Sequence, residues 1–185
     1  MAQVIPEKVI HKLIDICMAS DSCDAVFLAE QLMEESSVRM HGPEHHFLVA
    51  AAILSAYCNQ YCVDEKYRFL KMAAVRTVKI PVATCALYGT CGAMMGVGAA
   101  VSILLKANPF AKEPLVIVNR VTASIQKELA SYSGIRCCKR AVWASVKGAV
   151  RGLNESGASN LPCQEVRCSY AGTHDACIGN RCNYI

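Results

Sequence analysis

The sequence predicts an all-α fold: a single helical domain around a buried Gly/Ala-rich helix, with a Cys-rich irregular tail at its end. Apolar residues recur at three- and four-residue spacing in one segment after another, and no run of useful length alternates apolar with polar as a half-buried strand would. The stretch from Ile80 to Leu105 carries no charge, which marks the centre of a core or a membrane span. At 185 residues the chain is long enough to bury one core without external staples. The expected division is a helical domain over residues 1–158 and a tail over 159–185 packed on the same domain.

The first helix runs from Pro6 to Ala19, with Val9, Ile10, Leu13, Ile14 and Cys17 on one face and Pro6 in its first turn. A second follows the capping cluster Ser20-Asp21-Ser22, turns Ala25, Leu28, Ala29, Leu32 and Met33 inward, and ends near Glu35-Ser36. His41-Gly42-Pro43-Glu44-His45-His46 leads into an apolar helix from Phe47 to Tyr57, which begins inside the motif. Pro43 suits a first helical position and Glu44 suits the positive end of the helix dipole. A short helix from about Glu65 to Val75 precedes the uncharged run. Within that run Pro81, Thr84, Cys85, Tyr88, Gly89 and Thr90 break the first half, so Cys85 to Gly92 reads as a loop and Ala93 to Leu105 as the helix. Lys106 to Glu113 reads as a loop. A longer helix then places Leu115, Val118, Thr122, Ile125 and Leu129 on one face and stops near Ser133-Gly134. A last helix from about Arg140 carries Val142, Val146, Ala149, Val150 and Leu153 inward and fades at Asn154 to Gly157.

A helix of thirteen residues, Ala93 to Leu105, at about 1.5 Å rise per residue is too short to cross a bilayer, so no membrane span is expected. The net charge of +4 is mild and dispersed, its densest cluster running only from Arg136 to Arg140, which argues against nucleic acid as a partner. Twelve cysteines dominate the composition. The start, Met1 to Lys8, has neither the basic opening nor the apolar centre of a secretory signal, so a cytoplasmic location is expected. There thiols stay reduced, and a Cys-rich pattern reads as metal, cluster or redox chemistry rather than disulfides. Cys17, Cys23, Cys58 and Cys62 fit the plainer role of small apolar residues.

Four constellations could carry chemistry. His41, Glu44 and His45 satisfy H-x-x-E-H in form, but Gly42-Pro43 places His41 ahead of the helix, so the zinc-peptidase geometry is not expected. Three histidines in six residues are either ligands or proton-transfer groups, or else a helix entry with one exposed ring. Cys85 and Cys91 share a loop that ends at a helix start, where free N–H groups favour a thiolate; the alternative is a tightly packed turn. Cys137-Cys138 sits between Arg136 and Lys139-Arg140, whose charges also favour thiolates, but adjacent side chains diverge, so only one of the pair should reach the site of Cys85 and Cys91. Cys163, Cys168, Cys177 and Cys182 lie in a tail too poor in apolar residues to fold by packing, and four thiolates around a metal or cluster would supply the missing free energy. His174 could replace one of them.

The His41 to His46 motif, Tyr88-Gly89-Thr90-Cys91-Gly92-Ala93, Arg136 to Arg140 and Cys177-Ile178-Gly179-Asn180-Arg181-Cys182 together resemble the domain-of-unknown-function family 5714 of bacteria and archaea. The resemblance covers nearly all of the chain from His41 onward and implies a helical single-domain protein; it brings no reaction with it. From the residues themselves the leading expectation is a protein that holds an iron–sulfur cluster or another thiophilic metal, zinc included, through Cys91, Cys85 and Cys137 or Cys138, near His41, His45 and His46. In that picture a histidine handles protons, Glu44 orients it, and Arg136 or Arg140 holds an anionic group of a small-molecule substrate undergoing redox or sulfur-transfer chemistry. Two further readings stand beside it: a zinc-binding accessory or metal-carrier module, and a metal-free thiol redox protein using Cys137-Cys138, a pair that would form a strained bridge.

Overall fold

The computed structural model describes residues 4–185; Met1 to Gln3, part of the segment read for a signal, lie outside the described residues. The described chain forms eight α-helices: α1 (Glu7–Ala19), α2 (Ala25–Glu34), α3 (Glu44–Gln60), α4 (Lys66–Thr77), α5 (Thr84–Leu87), α6 (Gly92–Leu104), α7 (Lys112–Ala130) and α8 (Cys138–Glu155). A single 3₁₀ turn, Gly179–Arg181, lies in the tail. The fold is all-α, with no strand among the described residues.

The most enclosed element is α3. Every residue from Glu44 to Ala56 is buried, and the helix packs against α1, α2, α4, α6 and α8. A helix that is apolar on all sides has no solvent face to choose, so the others assemble around it. The uncharged α6 is its principal neighbour and also touches α4, α7 and α8. What lets them meet is glycine: a β-carbon at Gly96 would fall inside the His46 carbonyl oxygen and within 2.8 Å of Val49 Cγ2. Helix α7 closes the outside through Val121 and Ile125, its remaining apolar residues being half-buried or exposed. No helix among the described residues is long and apolar enough to cross a membrane.

Local chemistry shifts several helix ends. Asp24, rather than the Ser20-Asp21-Ser22 cluster, caps α2; its Oδ1 accepts from Val26 N at 2.7 Å and from Phe27 N at 3.2 Å, while the serines order the turn before it. Helix α8 begins at Cys138, because the Cys137 sulfur accepts the N–H of Arg140 and acts as the cap. Helix α7 starts at Lys112, so Pro114 falls in its first turn, where a missing N–H costs nothing. One turn of helix, α5, stands in the segment that reads as a loop. Ala83, in the left-handed region at φ 63, reverses the chain into it.

Residues 159–185 run along the helical body. Leu161 and Tyr184 are buried in the core, Asn154 holds Ser159 and the backbone of Leu161, and Gln164 N donates to Asp24 Oδ2 at 2.7 Å. Tyr170 Oη donates to the Met33 carbonyl at 2.9 Å, and Tyr184 Oη binds the Glu128 carboxylate.

Candidate functional site

The N-termini of α3, α6 and α8 converge. Around their meeting point lies a cavity of about 70 Å³ lined by His41, Gly42, His45 and His46 from the α3 entry, Cys91 and Gly92 from the α6 entry, and Arg136, Cys137 and Cys138 from the α8 entry, with Thr84 and Cys85 from α5. A helix N-terminus presents unbonded N–H groups and about half a positive charge. Three of them together make this end of the bundle favourable to anions, thiolates included. The local sequence explains the convergence: Pro43, the Thr90-Cys91-Gly92 turn and the Cys137 cap each start a helix just where a Cys or His is delivered.

The three imidazoles are neutral at pH 7. Burial pushes His45 down to about 3 and His46 to about 4, with Lys139 and Arg136 respectively adding to the effect, and burial followed by the charge of His174 lowers His41. His45 Nδ1 is 2.9 Å from the Gly42 carbonyl oxygen, which leaves its Nε2 buried without a hydrogen bond; His41 Nδ1 and His46 Nδ1 are in the same condition. A β-carbon at Gly92 would land on the His46 ring, so that glycine seats the imidazole. The Cys91 sulfur faces the N–H groups of Ala93 and Met94 without reaching capping distance, and the Cys138 sulfur faces Gly42 N–H. Burial pushes both thiols up. Arg136 Nη1 lies 3.9 Å from Cys85 Sγ at the exposed rim.

A second opening adjoins this cavity. It is a cleft of about 290 Å³ that shares Cys85, Cys91, Arg136 and Cys137 and adds Thr90, Gln126, Tyr132 and Arg140. Arg140 sits over the Tyr132 ring at 4.9 Å and donates to the Ile135 carbonyl at 3.2 Å, so it belongs to the cleft and not to the inner cavity.

Two expectations need correction. Glu44 does not orient a histidine: its Oε1 pairs with Arg39, 2.6 Å from Nη2 and 2.7 Å from Nε, and it lies outside the cavity wall, because the first turn of α3 turns His45 in and Glu44 toward Arg39. The orienting acceptor is the Gly42 carbonyl. The four tail thiols are not one set either. Cys168, Cys177 and Cys182 line a common recess with Cys137 and His174, whereas Cys163 is exposed among Asp24, Lys147 and Glu165, held away by the Gln164 to Asp24 bond.

The adjacent pair Cys137-Cys138 diverges: Cys138 looks toward Cys91, and Cys137 looks toward His174, whose Nε2 is 3.7 Å from its sulfur. His174 in turn packs edge-on against His41 with ring centroids 5.4 Å apart, so the tail and the central cavity meet there. Lys139 was not singled out in the sequence. It is 1% exposed, and its Nζ rests 4.5 Å over the Tyr170 ring with no hydrogen-bond acceptor. Burial lowers its pKa to about 8, against the pull of Cys138, Cys137, Glu44 and Cys168. Helical spacing carried a signal for it, since Lys139 shares the inward face of α8 with Val142, Trp143 and Val146.

Among the described residues no three His, Cys, Asp or Glu side chains are drawn together tightly enough to hold an ion between them. The donors form the walls of shared cavities rather than a finished coordination sphere. Their chemistry nonetheless suits a soft cation: neutral imidazoles with open lone pairs, thiols, and surrounding positive charge to balance thiolates.

Fold and site together define a helical protein with a thiol- and imidazole-lined cavity where three helix N-termini meet. The chain belongs to a family of unknown function, DUF5714, which it matches over residues 13–185. No curated protein and no solved structure matches it.

Proposed function

We propose that this protein binds an iron–sulfur cluster or another thiophilic metal in the central cavity, through Cys91, Cys138 and Cys85, and uses it for redox or sulfur-transfer chemistry on a small anionic molecule in the cytoplasm. The observation that carries the reading is the pairing of three buried, unpartnered imidazole nitrogens with four thiols in one cavity at three converging helix N-termini. Buried polar atoms left without partners are costly, and a cation would satisfy them. A centre held by three thiolates carries net negative charge, which the helix ends, Arg136 and Lys139 would offset. When bound, such a group would supply electron transfer or an open coordination position.

This chain's own residues then have distinct tasks. Gly92 and the Gly42 carbonyl hold His46 and His45 in place, with their rings neutral and their open lone pairs free to face the cation. Arg136 and Arg140 face the cleft that leads inward, where they would hold an anionic group. The test is anaerobic isolation with iron, acid-labile sulfide and zinc counted per chain, on the wild type and on Cys91→Ala and Cys138→Ala. Stoichiometric metal is expected in the wild type, with the share held by the central cavity lost in both variants. A wild type that is metal-free after anaerobic reconstitution would sink the proposal.

A further inference from the structure

We infer a second metal site, separate from the central one, in which Cys137 joins Cys168, Cys177 and Cys182 of the tail to bind a tetrahedral thiophilic ion of the zinc type, with Cys163 taking no part. The four sulfurs and His174 line one recess of about 10 Å³ against Trp143, roughly the space of a single water-sized sphere and therefore of a bare ion rather than a cluster.

The sulfurs are arranged as acceptors. Cys137 Sγ accepts Arg140 N–H at 3.4 Å, Cys177 Sγ accepts Gly172 N–H at 3.2 Å and faces Gly179 N–H, and Cys168 Sγ faces Tyr170 N–H and the Trp143 indole. Backbone N–H groups aimed at sulfur are what a ligating thiolate needs in its outer shell. Cys23 and Cys163, by contrast, lie near carbonyl oxygens, 3.9 and 4.0 Å away, as S–H donors do. His174 serves this site as a donor. Its Nδ1 accepts Ala176 N–H at 3.2 Å, which places the ring proton on Nε2, 3.7 Å from Cys137 Sγ.

A further geometric sign is Lys139, next in sequence after Cys137 and Cys138: it is 1% exposed, and its Nζ rests 4.5 Å over the Tyr170 ring with no hydrogen-bond acceptor. A tail of turns, with one 3₁₀ turn as its regular structure, can draw its sulfurs onto an ion, which then contributes folding free energy directly.

The experiment uses the full chain, stripped of metal anaerobically and titrated with Co²⁺, whose thiolate charge-transfer and tetrahedral bands report sulfur ligands. To keep the central thiols from binding Co²⁺ themselves, the titration uses Cys91→Ser/Cys138→Ser as background: one equivalent giving those bands is expected there and when Cys163→Ser is added, and their loss when Cys168→Ser or Cys182→Ser is added. The double variant separates this site from the central one, since it removes the central ligands only. A companion measurement needs no variant: bound Zn²⁺ should shield Cys137, Cys168, Cys177 and Cys182 from iodoacetamide at least tenfold and leave Cys163 reactive, read by peptide mass. Loss of the bands in Cys163→Ser, their survival in Cys182→Ser, or shielding of Cys163 in place of Cys182 overturns the inference.

Discussion

Gly96 on α6 tests the packing that builds the site, and Gly98, two residues on, is its control. A β-carbon at Gly96 would overlap the backbone carbonyl oxygen of His46 and press Val49 Cγ2 at 2.8 Å; at Gly98 it would meet only the Thr122 methyl at 3.3 Å. A methyl can yield by a few tenths of an ångström. A backbone carbonyl in the first turn of the central helix cannot, so in Gly96→Ala helix α6 must back away from α3. Forcing an extra carbon into a packed interface costs about 3 kcal/mol at the upper end of the usual range. Alanine in a helix interior returns about 1 kcal/mol over glycine. The net for Gly96→Ala is a loss of about 2 kcal/mol, or about 4–8 °C in Tm for a chain of this size. Gly98→Ala should leave Tm unchanged or raise it by up to about 3 °C. Thermal unfolding followed by far-ultraviolet circular dichroism, at matched metal content, reads both. Because the same carbonyl precedes the buried His46 ring, Gly96→Ala should also retain less metal than Gly98→Ala. Equal Tm values for the two variants, or Gly96→Ala at wild-type stability, would refute the account of how α6 and α3 meet.

Two further outcomes follow from the N-terminal half. Asp24→Ala removes the α2 cap and the Gln164 tether together, and should cost about 1–2 kcal/mol in urea unfolding; it should also raise proteolytic cleavage near Cys163. Glu35 is held down to about 2 by the hydrogen bond from Lys12, then by Ser37. A depressed carboxyl stabilises the fold above the ordinary value of 4.5 and loses that contribution as pH falls toward 2, so the stability gap between wild type and Glu35→Gln should be constant above pH 5 and close between 4.5 and 2.

Helical spacing made the body of the fold legible: the inward residues read for α1, α2 and α8 are those the core contains. Periodicity failed at α7, where Leu115 is exposed because that helix is an outer one packed only on α6 and α8. It put the Gly/Ala-rich α6 at the centre, whereas α3 is the more enclosed of the two; both are apolar, and only their neighbours distinguish them. The histidines, Cys85, Cys91 and Arg136 could be named from composition and helix-end signals, because each stands within three residues of a helix start. Their convergence depends on crossing angles that spacing does not encode. Glu44 and Cys163 were misassigned for one reason: a motif supplies residue types, while the partners Arg39 and Asp24 that turn those residues away lie outside it.

The adjacent cysteines fit the two proposed sites better than one larger one. At the start of α8, residue 137 is the extended cap and residue 138 is the first helical residue, and their side chains leave the backbone in different directions. One direction leads to Cys91 and the three imidazoles, the other to the tail recess, and Lys139 on the next residue lies between them with its charge acting on both sulfurs. Coupling between the sites would then run through a single helical turn and through the His41–His174 contact. Loading the tail should order His174 against His41 and so prepare one wall of the central cavity. The double variant Cys91→Ser/Cys138→Ser should keep the tail ion, whereas Cys182→Ser should weaken iron retention at the centre even though it touches none of the central ligands.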